Sequence, residues 1–196
     1  MHPPISDDAL DAVFRNARTF RRWQDKPVSP ALLMAIYDLM RLGPTSGNCC
    51  PARIVFVVSR AAKDRLKPHL DDSNAEKTMS APATAIVGFD LDFAERLPVL
   101  YPQVPDAQDG YKDPVLAERV AFRNGSVQGG YFIIAARALG LDCGPMSGFD
   151  NAGVDCEFFA DSRIRSNFHC NIGYGDTAGM RPRNPRLPFE EACSIL

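Results

Sequence analysis

Charge of one sign is what this sequence lacks most plainly. Its 196 residues carry 22 Lys and Arg against 24 Asp and Glu, a net charge of −2. That balance gives no overall pull toward nucleic acid or an anionic membrane surface. No apolar run approaches the ~20 residues needed to span a bilayer. The start, MHPPISDDALDAV, has neither the basic head nor the apolar centre of a signal peptide, so a soluble cytoplasmic protein is expected. Metal-binding patterns are missing too. The six cysteines (Cys49, Cys50, Cys143, Cys156, Cys170, Cys193) include no C-x-x-C pair, and adjacent Cys49-Cys50 is poorly placed to bridge or chelate. Free, buried thiols and no metal site are the expectation. The three histidines are scattered: His2 lies in a loose terminus, and His169, inside an apolar run, reads as core. Nor is there a Walker-type G-x-x-x-x-G-K-[ST] or a G-x-S-x-G nucleophile turn. Gly173-Tyr174-Gly175 follows a strand but opens no helix, so it is a weak dinucleotide signal.

What is present divides into alternating helical and strand patterns. Ser6 can cap a first helix with Leu10, Val13 and Phe14 on one face. Ser29-Pro30 opens the clearest helix, capped by the hydroxyl and started by the proline, and Gly43-Pro44 ends it. RIVFVV (53–58) and ATAIVG (83–88) read as buried strands. Ser59 caps a short helix between them, which stops near Pro68; DDSNAEKTMSAP, given no element of its own, precedes the second strand. Residues 90–113, rich in proline and mixed charge, suggest a lid or arm. A long helix from Pro114 to Leu139 follows. Its second half, GSVQGGYFIIAARALG, is apolar or small on nearly every side and should be buried all round. Gly125 and Gly129 within it would admit a close neighbour, expected to be a helix of a second subunit. LDCGPM leads into a strand end, Asp150 can cap another short helix, and FHCNIGYG (168–175) is a last central strand. The architecture expected is α+β, a mixed sheet of four to five strands wrapped by helices, with 1–196 forming one domain.

Between the elements lie three polar or basic clusters: Arg18-Thr19-Phe20-Arg21, Asn74 with Lys77, and Arg181-Pro-Arg183-Asn-Pro-Arg186. Arginine recognises phosphate through a planar, bidentate fork. If the clusters converge they form a pocket for a phosphorylated ligand; if they do not, each is solvated surface charge. The stretch CGPMSGFD (143–150) places Gly-Pro and Ser-Gly between apolar elements, either as a sharp turn or where something presses against the main chain.

Taken in order, ARTFRRW, GPTSGNCCPARIVFV, SNAEKTMSAPATAIV, RALGLDCGPMSGFD, NIGYGD and PRLPFEE resemble the FMN-dependent nitroreductases over nearly the whole chain. GPTSGNCCPARIVF, AFRN and GLDCGPMSGFD are most similar to the malonic semialdehyde reductase subgroup. The resemblance implies an intertwined homodimer that binds FMN and takes hydride from NADPH or NADH. Arg18, Thr19 and Arg21 would hold the FMN phosphate and ribityl chain, with Ala17 where a further arginine is usual. Arg186 matches a phosphate-binding arginine. Asn184 stands where a second basic residue is expected, with Arg183 as the substitute. Asn74 and Lys77 would reach the pyrimidine edge and ribityl chain. The loop Pro44-Thr45-Ser46 would pack on the flavin of the other subunit. The Gly148 N–H would meet flavin N5, with Ser147 before it where many relatives have Glu. The implied reaction is reduction of malonic semialdehyde to 3-hydroxypropanoate; the alternatives are a broad-range nitroaromatic or quinone reductase and a non-catalytic flavin-binding protein. Cys49 and Cys50 follow the flavin-facing loop but have no base partner, so no catalytic role is expected for them.

Overall fold

A computed structural model describes residues 3–196; His2 lies outside them. The chain begins with α1 (Asp7–Leu10), capped by Ser6 as expected. It then widens into a π-turn over Asp11–Arg15, closed by Asn16 N–H donating to Asp11 O. That wider turn breaks the anticipated apolar face: Val13 is buried while Phe14 is 52% exposed. Ser29 caps α2 (Pro30–Met40) with proline in its first turn, and Leu33, Ile36 and Met40 are its buried stripe. β1 (Ala52–Val57) and α3 (Arg60–Leu66), capped by Ser59, follow. Next is α4 (Asp72–Met79), in the stretch given no element of its own from sequence. Its sparse apolar residues hide it, because Asn74 and Thr78 are the side chains it buries.

β2 (Ala83–Asp90) is buried along almost its whole length. Residues 90–113 are not a free arm. They form helical turns at Phe93–Arg96 and Ala107–Tyr111 around α5 (Leu97–Leu100). Phe93 and Leu97 pack with Phe89, Ala117 and Ala121 in a cluster of their own. α6 (Pro114–Ala138) starts at Asp113, whose carboxylate accepts from Val115 N–H. β3 (Asp142–Met146), α7 (Asn151–Phe158), β4 (Ile164–Gly173) and a short α8 (Phe189–Ala192) complete the chain.

The four strands lie in the order β1-β2-β4-β3. Every pair is antiparallel, in the registers Val55↔Ile86, Ile86↔His169 and Pro145↔Cys170. Class and strand number are those expected. The parallel component of the anticipated mixed sheet is confined to one isolated bridge, Thr19↔Cys143. Alternation along β2 sends Ala85 and Val87 to the face covered by α2 and α6, and Ile86 to the face covered by α3 and α7. Truncating Ile86 to Ala would cost about 2–5 kcal/mol, because neither neighbour can collapse freely.

One expectation for α6 is corrected. A Cβ on Gly129 would lie 2.4 Å from the Phe168 ring, and one on Gly125 would lie 2.9 Å from Phe89 Cβ. These glycines admit the chain's own β4 and β2, not a partner helix. Within one chain Val127, in the second half of α6, is 41% exposed, so burial all round would need the second subunit.

Candidate functional site

Two of the three polar clusters meet. After the π-turn, residues 18–23 run beside the end of β3. Phe20 N–H donates to Cys143 O (3.0 Å), Gln24 N–H to Tyr174 O (2.8 Å), and Trp23 bridges to Gly175. The tail leaving β4 doubles back over this segment. Asp176 N–H donates to Arg22 O, Arg183 Nη2 to Arg15 O (2.6 Å) and Ala17 O (2.8 Å), and Arg18 Nη2 to Arg181 O. Between the two segments opens a cleft of ≈ 570 Å³.

Thr19 lines this cleft with seven arginines: Arg18, Arg21, Arg22, Arg137, Arg181, Arg183 and Arg186. Asp176 is the one carboxylate among the lining residues. So high a density of like charge is self-repelling unless an anion sits among it. One cation is visibly underemployed. Arg137 donates from Nη1 to Val13 O, but its buried Nε has no partner among the described residues. A dianionic phosphate meets both demands, so the residues fit a phosphorylated ligand. Arg22 and Arg137 were not singled out as ligand groups; Arg137 in particular reads from sequence as ordinary charge in the last turn of a helix.

The second part of the site is built on backbone. α4 lies against the turn after β3, where Asn74 Nδ2 donates to Gly148 O (2.7 Å) and Asp71 N–H donates to the same oxygen (3.3 Å). A Cβ on Gly148 would lie 2.4 Å from Asp71 Oδ2 and 2.6 Å from Asn74 Nδ2. A side chain at residue 148 would have to displace the Asp71 and Asn74 side chains from where they now pack. Ser147 next to it is exposed.

The end of α4 is held by three donors. Trp23 Nε1 (3.1 Å) and Asn171 Nδ2 (3.2 Å) reach Lys77 O, while the buried Lys63 ammonium reaches Thr78 O (2.7 Å) and Ala81 O. Burial pushes the Lys63 ammonium down to about 8, with a smaller push from Arg60. Burial also lowers Lys77, and Arg21 lowers it further. That influence puts Lys77 within electrostatic range of Arg21, while Lys77, Asn74 and Gly148 themselves are not among the residues lining the cleft.

Pro44, Thr45 and Ser46 are not among the residues lining the cleft. Their loop is pinned along α6 instead: Ser46 N–H donates to Asn124 Oδ1 (2.9 Å), and Tyr131 Oη donates to Pro44 O (3.5 Å). Within one chain the anticipated set is therefore split. Cys49, which follows the loop, is buried, and burial pushes its thiol up to about 11. Cys50 is partly exposed and lies 3.6 Å from Thr45 Oγ1. Cys143 and Cys170 are buried neighbours, and the hydrogen bond between them raises the Cys170 thiol well above its usual range. Cys156 and Cys193 are exposed, which corrects the expectation that all six thiols are buried. His169 is core, as anticipated, stacked on Phe149 with ring centroids 3.9 Å apart and pushed by burial down to about 4.

Comparison with known proteins agrees with this geometry. Residues 14–174 match the Nitroreductase family. A protein of a Caulobacter species named "Putative NADH dehydrogenase/NAD(P)H nitroreductase" is 56% identical over 188 residues, which cover 96% of each chain. A protein of that name from Burkholderia lata is 56% identical over 192 residues, 97% of this chain and 98% of its own. Among solved structures, a "putative nitroreductase in complex with FMN" from Exiguobacterium sibiricum superposes with a TM-score of 0.86 at 20% identity, covering 100% of both chains. The chain belongs to the nitroreductase family.

Proposed function

We propose that the protein is an FMN-dependent NAD(P)H oxidoreductase, with 1–196 acting as one FMN-binding domain. The observation that carries this reading is the arginine cleft, whose Arg21 is felt electrostatically at Lys77 on α4, the helix that packs against the Gly148 turn. FMN bound there would accept hydride from NAD(P)H and pass it to an electrophilic substrate. Arg18, Thr19, Arg21, Arg183 and Arg186 would bind its phosphate and ribityl chain, displacing the carbonyl contacts that Arg18 and Arg183 make now. Asn74 and Lys77 would orient the pyrimidine edge, where cationic Lys77 offsets negative charge. Gly148 offers a backbone N–H, whose position is fixed from behind by Asn74.

The broad-range reading, in which uncharged nitroaromatics, quinones and small carbonyls are reduced, suits this site best. Reduction of malonic semialdehyde to 3-hydroxypropanoate is the narrower reading, and rests on the likeness of CGPMSGFD and its neighbours. A homodimer accords with the split site, because the Pro44-Thr45-Ser46 loop of one subunit would then cover the flavin of the other. It accords also with an apolar groove of ≈ 930 Å³ beside the unpaired edge of β1, lined by Leu33, Met34, Ile54 and Phe56.

The test is the absorbance spectrum of the purified protein, followed by NAD(P)H oxidation with p-nitrobenzamide and with malonic semialdehyde. A flavin spectrum, FMN released on denaturation and turnover are expected. A colourless protein that gains no flavin spectrum on adding FMN would refute the reading. Sedimentation should find a dimer, and an FMN-loaded active monomer would refute that part.

A further inference from the structure

Asp71 is the group that neither the phosphate cleft nor the flavin contacts use. It occupies the N-cap position of α4, where an aspartate ordinarily spends its carboxylate on the first free N–H groups of the helix. Here its side chain accepts no capping hydrogen bond. The backbone carbonyl does that work, accepting from Asn74 and Ala75 N–H. The carboxylate is turned across the gap instead: Oδ2 lies 2.4 Å from the point where a Gly148 Cβ would be. Asp71 is solvent-exposed and takes part in none of the ion pairs among the described residues. The other carboxylate near the turn, Asp150, is directed at Gly153. Lys77, farther along α4, feels the charge of Arg21. A carboxylate with no ion-pair partner among the described residues thus stands beside the glycine that would face the reacting ring.

We infer that Asp71 is a specificity-determining residue, whose carboxylate turns away anionic substrates and leaves the site to neutral or cationic ones. The inference rests on the flavin reading above and narrows its substrate class, against malonic semialdehyde, which carries a carboxylate of its own. Two like charges several ångströms apart at a partly solvated site alter relative affinity about three- to tenfold, and added salt weakens the effect.

The test uses FMN-loaded wild type, Asp71→Asn and Asp71→Glu with benzamide and benzoate, which match in shape and differ in charge. Equilibrium binding is read from the perturbation of the flavin absorbance, and kcat/KM is read with p-nitrobenzamide and p-nitrobenzoate. Wild type should favour the amide in both measurements. Asp71→Asn should narrow that preference about three- to tenfold, and Asp71→Glu should keep it. Raising the salt should narrow the wild-type preference in the same direction. An amide-to-acid ratio equal in wild type and Asp71→Asn would overturn the inference. Loss of FMN from Asp71→Asn while Asp71→Glu retains it would make the residue a structural one and overturn it equally. Failure of the wild type itself to hold FMN would remove the flavin reading and this inference with it.

Discussion

The arginine cleft and the Gly148 turn are built on opposite principles. The cleft is assembled from long side chains of two segments far apart in sequence, joined by Arg137 of α6, and several of its guanidinium groups perform one task. The turn is assembled from main chain, with Asn74 and Asp71 packed against a position that has no side chain. Redundant charge degrades gradually when one member is lost, whereas a close backbone approach has no substitute. Damage to the turn should therefore be abrupt and damage to the cleft graded.

The largest expected effect comes from Gly148→Val. Its branched side chain would push Asp71 Oδ2 and Asn74 Nδ2 aside and break the Asn74 hydrogen bond to Gly148 O that holds the turn to α4. A displacement of about 1 Å at the reacting centre costs on the order of 100-fold in turnover. Stopped-flow reduction by NAD(P)H should show that loss with FMN still bound through the cleft. If Gly148→Val reacts at the wild-type rate, the turn does not border the chemistry.

Next in size are Arg18→Ala and Arg186→Ala. Each removes a charge-assisted contact worth roughly 1.5–3 kcal/mol, which is about ten- to a hundredfold in FMN affinity by fluorescence titration. Sharing among the arginines should keep each single loss below that of the double variant. Wild-type affinity in both single variants would remove the phosphate assignment.

Lys63 links the comparison to pH. Its folded pKa of about 8 lies below the 10.5 of a free lysine. Between those values the unfolded chain binds more protons than the folded one, so this lysine makes stability rise with pH. Its burial cost is fully present below pH 8 and is relieved as pH approaches 10.5. Urea midpoints taken across that window should rise less in Lys63→Met than in wild type. Equal slopes would show that the ammonium is not buried under α4.

The smallest effect is expected from the Cys49→Ser and Cys50→Ser double variant. Burial suppresses the Cys49 thiolate, and the hydrogen-bond partners of the Cys50 thiol among the described residues are the Thr45 hydroxyl and Asn48 Oδ1. Steady-state assays should find most of the turnover intact. A hundredfold loss with FMN retained would give these thiols a catalytic part.

Much of the fold was legible because helix ends are written in local chemistry. Ser29-Pro30, Ser59 and Asp113-Pro114 each begin a helix within reach of their own cap. α4 was missed because its inward face is Asn74 and Thr78, which carry no hydrophobic period. The flavin-contact candidates were legible only through their motifs. Arg137 and Asp71 carry no signal of their own, one lying in a last helical turn and the other among several acidic residues.

By itself the sequence determined the α+β class, the position of the strands, though not the partial exposure of β1, and most helix boundaries, since period and capping act over a few residues. The tertiary structure alone decided that Gly125 and Gly129 face this chain's own Phe89 and Phe168. It decided likewise that the tail closes over Arg18, and that one carboxylate among many stands against Gly148. These outcomes depend on segments tens of residues apart meeting in space. No spacing along the chain encodes such a meeting, because it is selected by the packing of the whole sheet and its helices.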